Sequence, residues 1–193
     1  MSAIEDIPQR VCDALRKGKL DASDLTARRL SAFAGKTTSV LYHHWGSLDG
    51  FLYAVSQEGV QLLGARLLAE IGGARGLIGA AESFVRFGVD HPALYELMFV
   101  RPFDWDALRA SGQTASSPGV GLWSQLVSYF AGGGSKRPDM DARLMFAGLH
   151  GLVHLASTGR ANVGAMSVSD RDTAIEAARV LAQRFMPATQ KEE

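Results

Sequence analysis

The sequence lacks the features of a secreted or membrane-bound protein. Cys12 is the only cysteine, so no disulfide can form within the chain, which fits a reducing compartment. The first residues are acidic and hold no apolar core of the kind that a signal peptide needs. The longest nearly apolar run, Leu144 to Ala156, is too short to span a bilayer and contains two histidines. We therefore predict a cytoplasmic protein that has no membrane partner.

Proline, charge and alternating strand patterns are also scarce. The chain has six prolines and only 21% charged residues, which does not fit a disordered protein. Its formal net charge is zero, so any basic surface must be local. Apolar residues make up 47% of the chain and recur at three- and four-residue spacings nearly throughout. This pattern predicts an all-α protein with a sizeable core.

The helical pattern divides into a small N-terminal part and a larger C-terminal part. Three short helices are expected up to residue 46, and about six longer ones after it. Ser47 should cap a long helix that ends at Gly72, and Ser169 should cap the last helix. The segment 101–119 is rich in serine, glycine and proline, so we predict it to be mostly irregular, with one turn near Trp105.

Residues 26 to 44 have the pattern of a helix-turn-helix, in which a glycine-containing turn joins two short helices. Thr26 should cap the first helix, Gly35 should form the turn, and Leu30 and Leu41 should pack the helices together. Side chains that can hydrogen-bond to base edges in a major groove should point outward from the second helix. These side chains are Thr37, Thr38, Ser39, Tyr42, His43 and His44.

The same region is locally basic. Between residues 8 and 46, seven lysines and arginines stand against three acidic residues, a net charge of +4 on a neutral chain. Such asymmetry is expected where a protein contacts phosphates. An ordinary helical hairpin with a solvated charged face would have the same pattern, so the pattern alone leaves both interpretations open.

The N-terminal segment closely resembles the tetracycline-repressor (TetR) family. The resemblance lies in Leu25-Thr26-Ala27-Arg28-Arg29-Leu30-Ser31, Ala34-Gly35 and Leu41-Tyr42-His43-His44-Trp45-Gly46-Ser47. Farther on, the segment His91 to Phe99 and the pair His150-Gly151 look like the ligand domain of one branch of that family. In that branch a tryptophan usually precedes the His-Gly pair, whereas this chain has Leu149.

The resemblance implies a transcriptional repressor that binds double-stranded DNA at a palindromic operator as a homodimer, without a cofactor. It implies a helix-turn-helix DNA-binding domain over 1–46 and a ligand-binding and dimerisation domain over 47–193. By position, Arg28 should contact a base, and Thr26 and Thr37 should contact phosphates at helix N-termini. The expected groove-facing residues are Thr38, Ser39 and His43, and the expected backbone contacts are Tyr42 and His44.

Two positions depart from the family pattern. Leu48 stands where the family often has a lysine, so one phosphate contact is expected to be missing. Lys36 stands where the family usually has an apolar residue, and it either replaces the lost charge or is merely exposed.

The C-terminal part supplies aromatic and methionine side chains, which line a pocket for a small apolar ligand or form a closed core. His150 is the first candidate for an orienting hydrogen bond, followed by His154 and Tyr95. The spacing of the two histidines also suits a metal pair, but Gly151 replaces the glutamate of a metalloprotease motif, so no metal is predicted. The predicted ligand residues are Phe84, Phe87, Tyr95, Met98, Phe99, Trp123, Val127, Met145, His150 and His154.

The last two helices carry surplus apolar surface, which predicts a four-helix dimer interface. Glycines on the first of them should allow a close approach of helices. The predicted interface residues are Gly148, Gly151, Leu152, Leu155, Leu181 and Phe185.

No catalytic motif has support in the sequence. Gly35-Lys36-Thr37 imitates the end of a phosphate-binding loop, but Leu30 stands where that loop needs a glycine. We therefore predict that the protein is not an enzyme. The alternative hypothesis is a helical small-molecule carrier or enzyme whose N-terminal helices only pack.

Overall fold

The structure, a computed structural model, describes residues 4–110, 112, 114, 117–161 and 169–186. Two 3-10 turns in these ranges, at Ile4–Asp6 and Ala22–Asp24, lie before α1 and before α2. No β-strand occurs in the described ranges, so the predicted all-α class is confirmed. The helices there are α1 (Ile7–Arg16), α2 (Ala27–Ala34), α3 (Thr38–Trp45), α4 (Leu48–Ile71), α5 (Gly76–Asp90), α6 (Pro92–Phe99), α7 (Trp105–Ala110), α8 (Pro118–Gly132), α9 (Pro138–Ser157) and α10 (Asp170–Phe185).

Hydroxyl side chains cap three of the helices where the sequence predicts them. The Thr26 hydroxyl accepts from the backbone N–H of residue 29 at 3.4 Å. Ser47 accepts from the N–H of residue 50 at 2.9 Å, and Ser169 accepts from the N–H of residue 172 at 3.1 Å. Each bond satisfies a backbone donor that the first turn of a helix leaves without an intrahelical partner.

The segment between α6 and α8 is more ordered than its composition predicts. Residues 105–110 form α7, and α8 begins at residue 118, inside the stretch expected to be irregular. Asp104 explains the start of α7, because its carboxylate accepts from the Ala107 N–H at 3.0 Å. Leu108 of α7 is buried, so the helix packs through this side chain. Positions 111, 113, 115 and 116 of this segment lie outside the described residues.

The chain packs as two compact units. The first comprises Met1–Leu62 and His91–Gly119, and the second comprises Leu63–Asp90 and Val120–Glu193. In the first unit α6 packs against α1, and α2 packs against α3. In the second unit α10 packs against α5 and α9. The functional boundary that we place between residues 46 and 47 stays a prediction.

A buried carboxylate joins the helices of the second unit. Glu82 of α5 is almost fully buried, and its carboxylate accepts from Arg179 of α10 at 2.8 Å. Arg75 also donates to it, and Arg86 lies 3.9 Å away on the next turn of α5. Because a buried charge without partners would be costly, this cluster ties α10 to α5 through charged hydrogen bonds.

Across the described ranges, no helix is both long enough and apolar enough to cross a membrane.

Candidate functional site

The turn between α2 and α3 has the conformation that its sequence predicts. Gly35 takes a φ of +66°, a left-handed conformation that favours glycine. Its N–H donates to the Ala32 carbonyl at 3.1 Å and ends α2. Leu30 and Leu41 are buried and hold α2 and α3 together. The predicted helix-turn-helix is therefore present.

The predicted DNA-contact residues all reach the surface of this helix-turn-helix. In α3 only Leu41 is buried, so polar side chains make up most of its exposed surface. Lys36 and Thr38 are half-buried. The exposed contact candidates are Thr26, Arg28, Thr37, Ser39, Tyr42, His43 and His44. Their exposure permits contact with DNA, while each individual contact stays a prediction.

The arginines of this region differ in whether they have a carboxylate partner. Arg16 pairs with Asp13 at 3.0 Å, and Arg29 pairs with Asp24 at 2.9 Å. In the part of the chain that the structure describes, Arg28 is exposed and forms no ion pair. Its guanidinium is thus available for a bidentate contact to a base edge.

Aromatic rings anchor the end of α3 to the start of α4. The rings of Trp45 and Phe51 lie 4.8 Å apart, and Phe51 is fully buried. The His44 ring lies 5.7 Å from that of Trp45. These contacts hold the exposed face of α3 in a fixed orientation on the first turns of α4.

The two residues that depart from the family pattern, Leu48 and Lys36, lie within three residues of the ends of α3. Leu48, the first residue of α4, is half-buried and has no charge to offer a phosphate. The next residue, Asp49, accepts from the guanidinium of Arg101 at 3.2 Å. Lys36 lies at the turn between α2 and α3. That it replaces the missing charge stays a prediction.

Three of the predicted ligand residues lie on α6, in the first unit. Tyr95 is buried, and burial raises the pKa of its phenol above the ordinary value. Its ring lies 4.9 Å from that of Phe99, which is half-buried, as is Met98. A Cβ built on Gly59 of α4 would come within 2.6 Å of the Met98 sulfur. Gly59 therefore permits a close approach of α4 and α6.

The other predicted ligand residues lie in the second unit. Phe84, Phe87 and Met145 are buried, as core residues would be. The remaining four are accessible at least in part: Trp123, Val127 and His150 are half-buried, and His154 is exposed. Of the predicted ligand residues in the second unit, these four can contact a ligand without a rearrangement of the core.

Phe146, which the sequence analysis missed, joins several of these side chains. Its ring lies 5.9 Å from Phe84, 6.4 Å from Trp123 and 6.1 Å from His150. The interplanar angle with His150 is 22°, so the two rings are stacked. Its position four residues before His150, on the same helix face, is the signal that could have revealed it.

The electrostatic environment of His150 favours a neutral imidazole. Burial, together with the nearby His154, holds the pKa of His150 below its ordinary value. A neutral imidazole can donate one hydrogen bond and accept another, which suits an uncharged polar group on a ligand. Among the described residues, no group of three histidine, cysteine, aspartate or glutamate side chains is arranged to hold a metal ion.

The predicted dimer residues lie along one side of α9 and α10. A Cβ on Gly148 would come within 2.6 Å of the Leu181 side chain, so this glycine permits close packing of α9 and α10 within one chain. Gly151 has nothing within 4 Å of the same built atom, which leaves it open to a partner. Leu155 is exposed, whereas Leu152 and Phe185 are half-buried. Phe185 also contacts the Phe130 ring, at 5.9 Å.

A groove of about 710 Å³ runs between α9 and α10. Its apolar lining comes from Gly148, Leu152, Ala177, Val180 and Leu181, and its polar rim comes from Asp172, Thr173, Glu176 and Arg184. The sequence analysis missed three exposed apolar side chains of these two helices: Met140, Leu144 and Val180. For Leu144, which lies four residues before Gly148, and for Met140, four residues before Leu144, helical spacing is the signal that could have revealed them. We call the apolar residues Met140, Leu144, Leu155 and Val180, with those lining the groove, the α9–α10 face.

One comparison with known proteins identifies the C-terminal part. A family model described as "Tetracyclin repressor-like, C-terminal domain" matches residues 77–181, more than half of the chain. The match contains α5 except its first residue, α6 to α9, and most of α10. Among curated proteins, no relative matches the chain. The branch suggested by His150-Gly151 stays a prediction.

Proposed function

The chain belongs to the tetracycline repressor family of transcriptional regulators, and from this premise we propose that it is a homodimeric repressor released from palindromic double-stranded DNA by a small apolar ligand. The observation that carries the proposal is the exposed polar face of α3 together with Arg28, which has no carboxylate partner among the described residues. Membership of this family also points to a regulator rather than an enzyme.

The helix-turn-helix supplies the contacts to the operator. Arg28 reads a guanine through two parallel hydrogen bonds, while Thr26 and Thr37 position the helices on phosphates. Thr38, Ser39 and His43 face the groove, and Tyr42 and His44 contact the DNA backbone. One helix-turn-helix neutralises few phosphates, so specific binding at physiological salt requires two of them on paired half-sites.

The α9–α10 face supplies the dimer contact. Its exposed leucine, methionine and valine side chains would be costly to leave in water and gain from burial against a second copy. A two-fold axis would bring the same two helices of each protomer together as a four-helix bundle. Gly151, open in one protomer, would let the two copies of α9 approach closely.

The ligand contacts the accessible aromatic side chains of the second unit, with Trp123 and Phe146 as apolar walls and His150 as the orienting polar group. Suppose that the ligand prefers a conformer in which the two recognition helices are wrongly spaced for the operator. The ligand then weakens DNA binding, and DNA weakens ligand binding by the same factor. α4 starts directly after the helix-turn-helix and contributes residues to both units, so it is the mechanical link. A coupling of about 1–3 kcal/mol gives about 5–150-fold release.

The DNA-binding assignment is tested by fluorescence anisotropy with the DNA upstream of the protein's own gene. Arg28→Ala should weaken operator binding by about 1–3 kcal/mol and relax the preference at one base pair. Arg29→Ala is the matched control, because Arg29 is the neighbouring exposed arginine and is held by Asp24. Equal operator affinity in parent and Arg28→Ala would show that the contact face is wrongly assigned.

The ligand switch is tested separately. A thermal-shift screen should identify a binding compound, and operator affinity is then measured with and without it, in the parent, Trp123→Ala and His150→Ala. A compound that binds near these residues yet leaves operator affinity unchanged would contradict the switch and leave DNA binding standing. The alternative, a carrier or enzyme, would be supported if no DNA fragment is bound specifically.

A further inference from the structure

A cavity lies at the end of the second unit where α8 ends, α9 begins and α10 ends. Its volume is about 650 Å³, inside the range of about 300–1,000 Å³ that is usual for small-molecule sites. The last turn of α8, the glycine segment 132–134 and the last residues of α10 line it. It shares no lining residue with the proposed ligand site of Trp123, Phe146 and His150. We call it the α8–α10 cavity.

Aromatic side chains form the apolar wall of this cavity. Phe130 is buried, and its ring lies 5.8 Å from the ring of Tyr129 and 5.9 Å from that of Phe185. Tyr129, Phe185 and Met186 line the cavity and are half-buried, so part of each side chain is accessible. Because these parts are in contact with water, a flat apolar group that covers them would gain free energy from its burial.

The backbone of the glycine segment does not form a cradle for an anion. The N–H groups of Gly133, Gly134 and Ser135 donate to carbonyl groups in the last turn of α8, at 3.0–3.1 Å. In a phosphate-binding loop, by contrast, successive N–H groups point at the ligand. A charged ligand in this cavity must therefore be recognised by side chains.

Three cations without a carboxylate partner lie at this end of the unit. Arg184 lines the cavity, is exposed, and forms no ion pair in the described part of the chain. Lys136 and Arg137 follow directly on the lining residue Ser135, are exposed, and likewise form no ion pair there. They precede the N-terminus of α9, where the helix dipole disfavours positive charge, so helix stability does not explain them.

The carboxylates near the cavity do not cancel these cations. Asp141 lines the cavity and accepts a hydrogen bond from the Ser135 hydroxyl at 2.5 Å. Asp139 pairs with Arg143 at 2.8 Å, so these two charges offset each other. Three cations against the one remaining carboxylate leave a local charge of +2 on a chain whose formal net charge is zero. This charge favours an anion over a cation or a neutral ligand.

We propose that the α8–α10 cavity binds a small aromatic carboxylate. The carboxylate pairs with Arg184, whose guanidinium offers two parallel N–H donors that match its geometry. The ring of the ligand covers Tyr129 and Phe185. Lys136 and Arg137 add a field that attracts the anion without contacting it. An anion without an apolar part, such as inorganic phosphate, would leave the aromatic wall in water and bind more weakly.

Binding is tested with 2-naphthoate as the probe and 2-naphthamide, its uncharged isostere, as the chemical control. Both are titrated into the full chain without DNA, and the methionine methyl groups are followed by NMR, with Met186→Leu assigning the Met186 resonance. 2-Naphthoate should shift this resonance saturably, because Met186 lines the cavity. The amide should bind at least about ten-fold more weakly, since it lacks the charge.

Two outcomes of this titration would overturn the proposal. One is an equal affinity for the acid and the amide, which would mean that the cations do not select the ligand. The other is a saturable shift of the buried Met145 without a shift of Met186, which would place the probe beside Phe146 instead.

Variants separate the charge from the wall. Arg184→Gln should weaken 2-naphthoate binding about ten-fold in calorimetry and leave the amide unaffected, because it removes only the partner of the carboxylate. Tyr129→Leu should weaken both compounds, because it removes part of the apolar wall. Arg160→Gln is the matched control: Arg160 is exposed, forms no ion pair in the described part of the chain and follows the other end of α9.

Folding and assembly are checked for every variant, by thermal transitions and by light scattering. The second check matters because Arg184 also lines the groove of the α9–α10 face. If Arg184→Gln changes the mass, the double variant Lys136→Gln/Arg137→Gln gives the charge test, with a weaker binding of the acid alone as the expected result. Parent-like affinity for 2-naphthoate in the folded variants would overturn the assignment.

This site goes beyond the proposed function and does not depend on it. The titrations contain no DNA, so a failure to bind any operator would contradict the proposed function and leave them unaffected. A failure to bind 2-naphthoate would overturn the α8–α10 cavity as a site for aromatic carboxylates and leave the DNA-binding assignment standing.

Discussion

The α2–α3 hairpin and the α9–α10 pair each consist of two packed helices, but the hairpin exposes a polar surface to solvent and the α9–α10 pair exposes an apolar one. The hairpin buries a few small and aliphatic side chains and exposes threonine, serine, histidine and Arg28. The α9–α10 pair exposes Met140, Leu144, Leu155 and Val180. Water solvates the polar surface of the hairpin well and the apolar surface of the α9–α10 pair poorly. The hairpin surface therefore suits contact with a polyanion, and the α9–α10 surface suits contact with a second apolar surface.

The comparison also shows how each pair is held together. Gly35 joins α2 to α3 by a turn that is encoded within a few residues. α9 and α10 are separated by residues 158–169 and are held by tertiary contacts, with the Leu181 side chain close to Gly148. The α9–α10 surface therefore depends more strongly on the packing of its unit, and substitutions there should have the larger effects.

The largest effect is expected from a charge placed on the α9–α10 face. Leu144 is 54% exposed in a single chain, so Leu144→Asp should leave the fold intact but bury a carboxylate in the dimer. We expect a monomeric mass in light scattering at micromolar concentration and a loss of operator affinity of about 100-fold or more. Val120→Asp is the control, since Val120 is 68% exposed on α8. A dimeric Leu144→Asp protein would place the interface elsewhere.

The next effect concerns the charged cluster of Glu82, which joins α5 to α10. Glu82→Gln keeps the shape of the side chain but removes the charge that faces Arg75 and Arg179. Because both arginines are about half exposed and can regain water, we expect a loss of about 2 kcal/mol in the free energy of unfolding, below the full cost of breaking a buried pair. Denaturation by urea measures it. A stability equal to the parent's would show that the cluster contributes no net free energy.

A smaller effect is expected on the polar side of the comparison. Thr37→Ala removes an exposed hydroxyl that makes no capping hydrogen bond to α3, so the stability of the protein should be unchanged. Its predicted phosphate contact is worth about 1 kcal/mol, or about five-fold in affinity, and should be lost equally for operator and unrelated DNA. Anisotropy with both DNAs checks this. A loss confined to the operator would make Thr37 a base contact.

The smallest effect is a pH dependence that arises in the second unit. Because the pKa of His150 is lowered in the folded chain, the unfolded chain binds more protons as the pH falls from 7 to 5. The contribution of His150 to stability is therefore present above its unfolded pKa and decreases below it. His150→Gln should reduce the loss of stability between pH 7 and pH 5, as measured by urea denaturation at each pH.

A matched variant separates the two causes of that shift. His154→Gln removes the neighbouring charge and leaves the burial, which is the larger cause. It should therefore reduce the pH dependence less than His150→Gln does. The reverse order would mean that His154, and not burial, controls the titration.

Much of the fold follows from local sequence. The hydroxyl caps at Thr26, Ser47 and Ser169, the turn at Gly35 and the start of α6 at Pro92 could each be predicted, because each depends on bonds or dihedral angles within a few residues. Composition predicts one turn near Trp105, but not its extension into the six-residue helix α7. This extension depends on Asp104 as a cap and on the burial of Leu108, and only packing decides that burial.

The candidate sites also differ in how far local sequence predicts them. The sequence by itself determined which side chains of the helix-turn-helix are predicted to contact DNA, because the motif is contiguous and its outward positions follow from helical spacing. Only the tertiary structure brought Phe146 between Phe84 and Trp123, packed Leu181 against Gly148, and brought Arg184 and Phe185 to the end of α8. Spacing along the chain shows which side chains share a face of one helix, but contacts between helices depend on how every buried face in a unit packs at once.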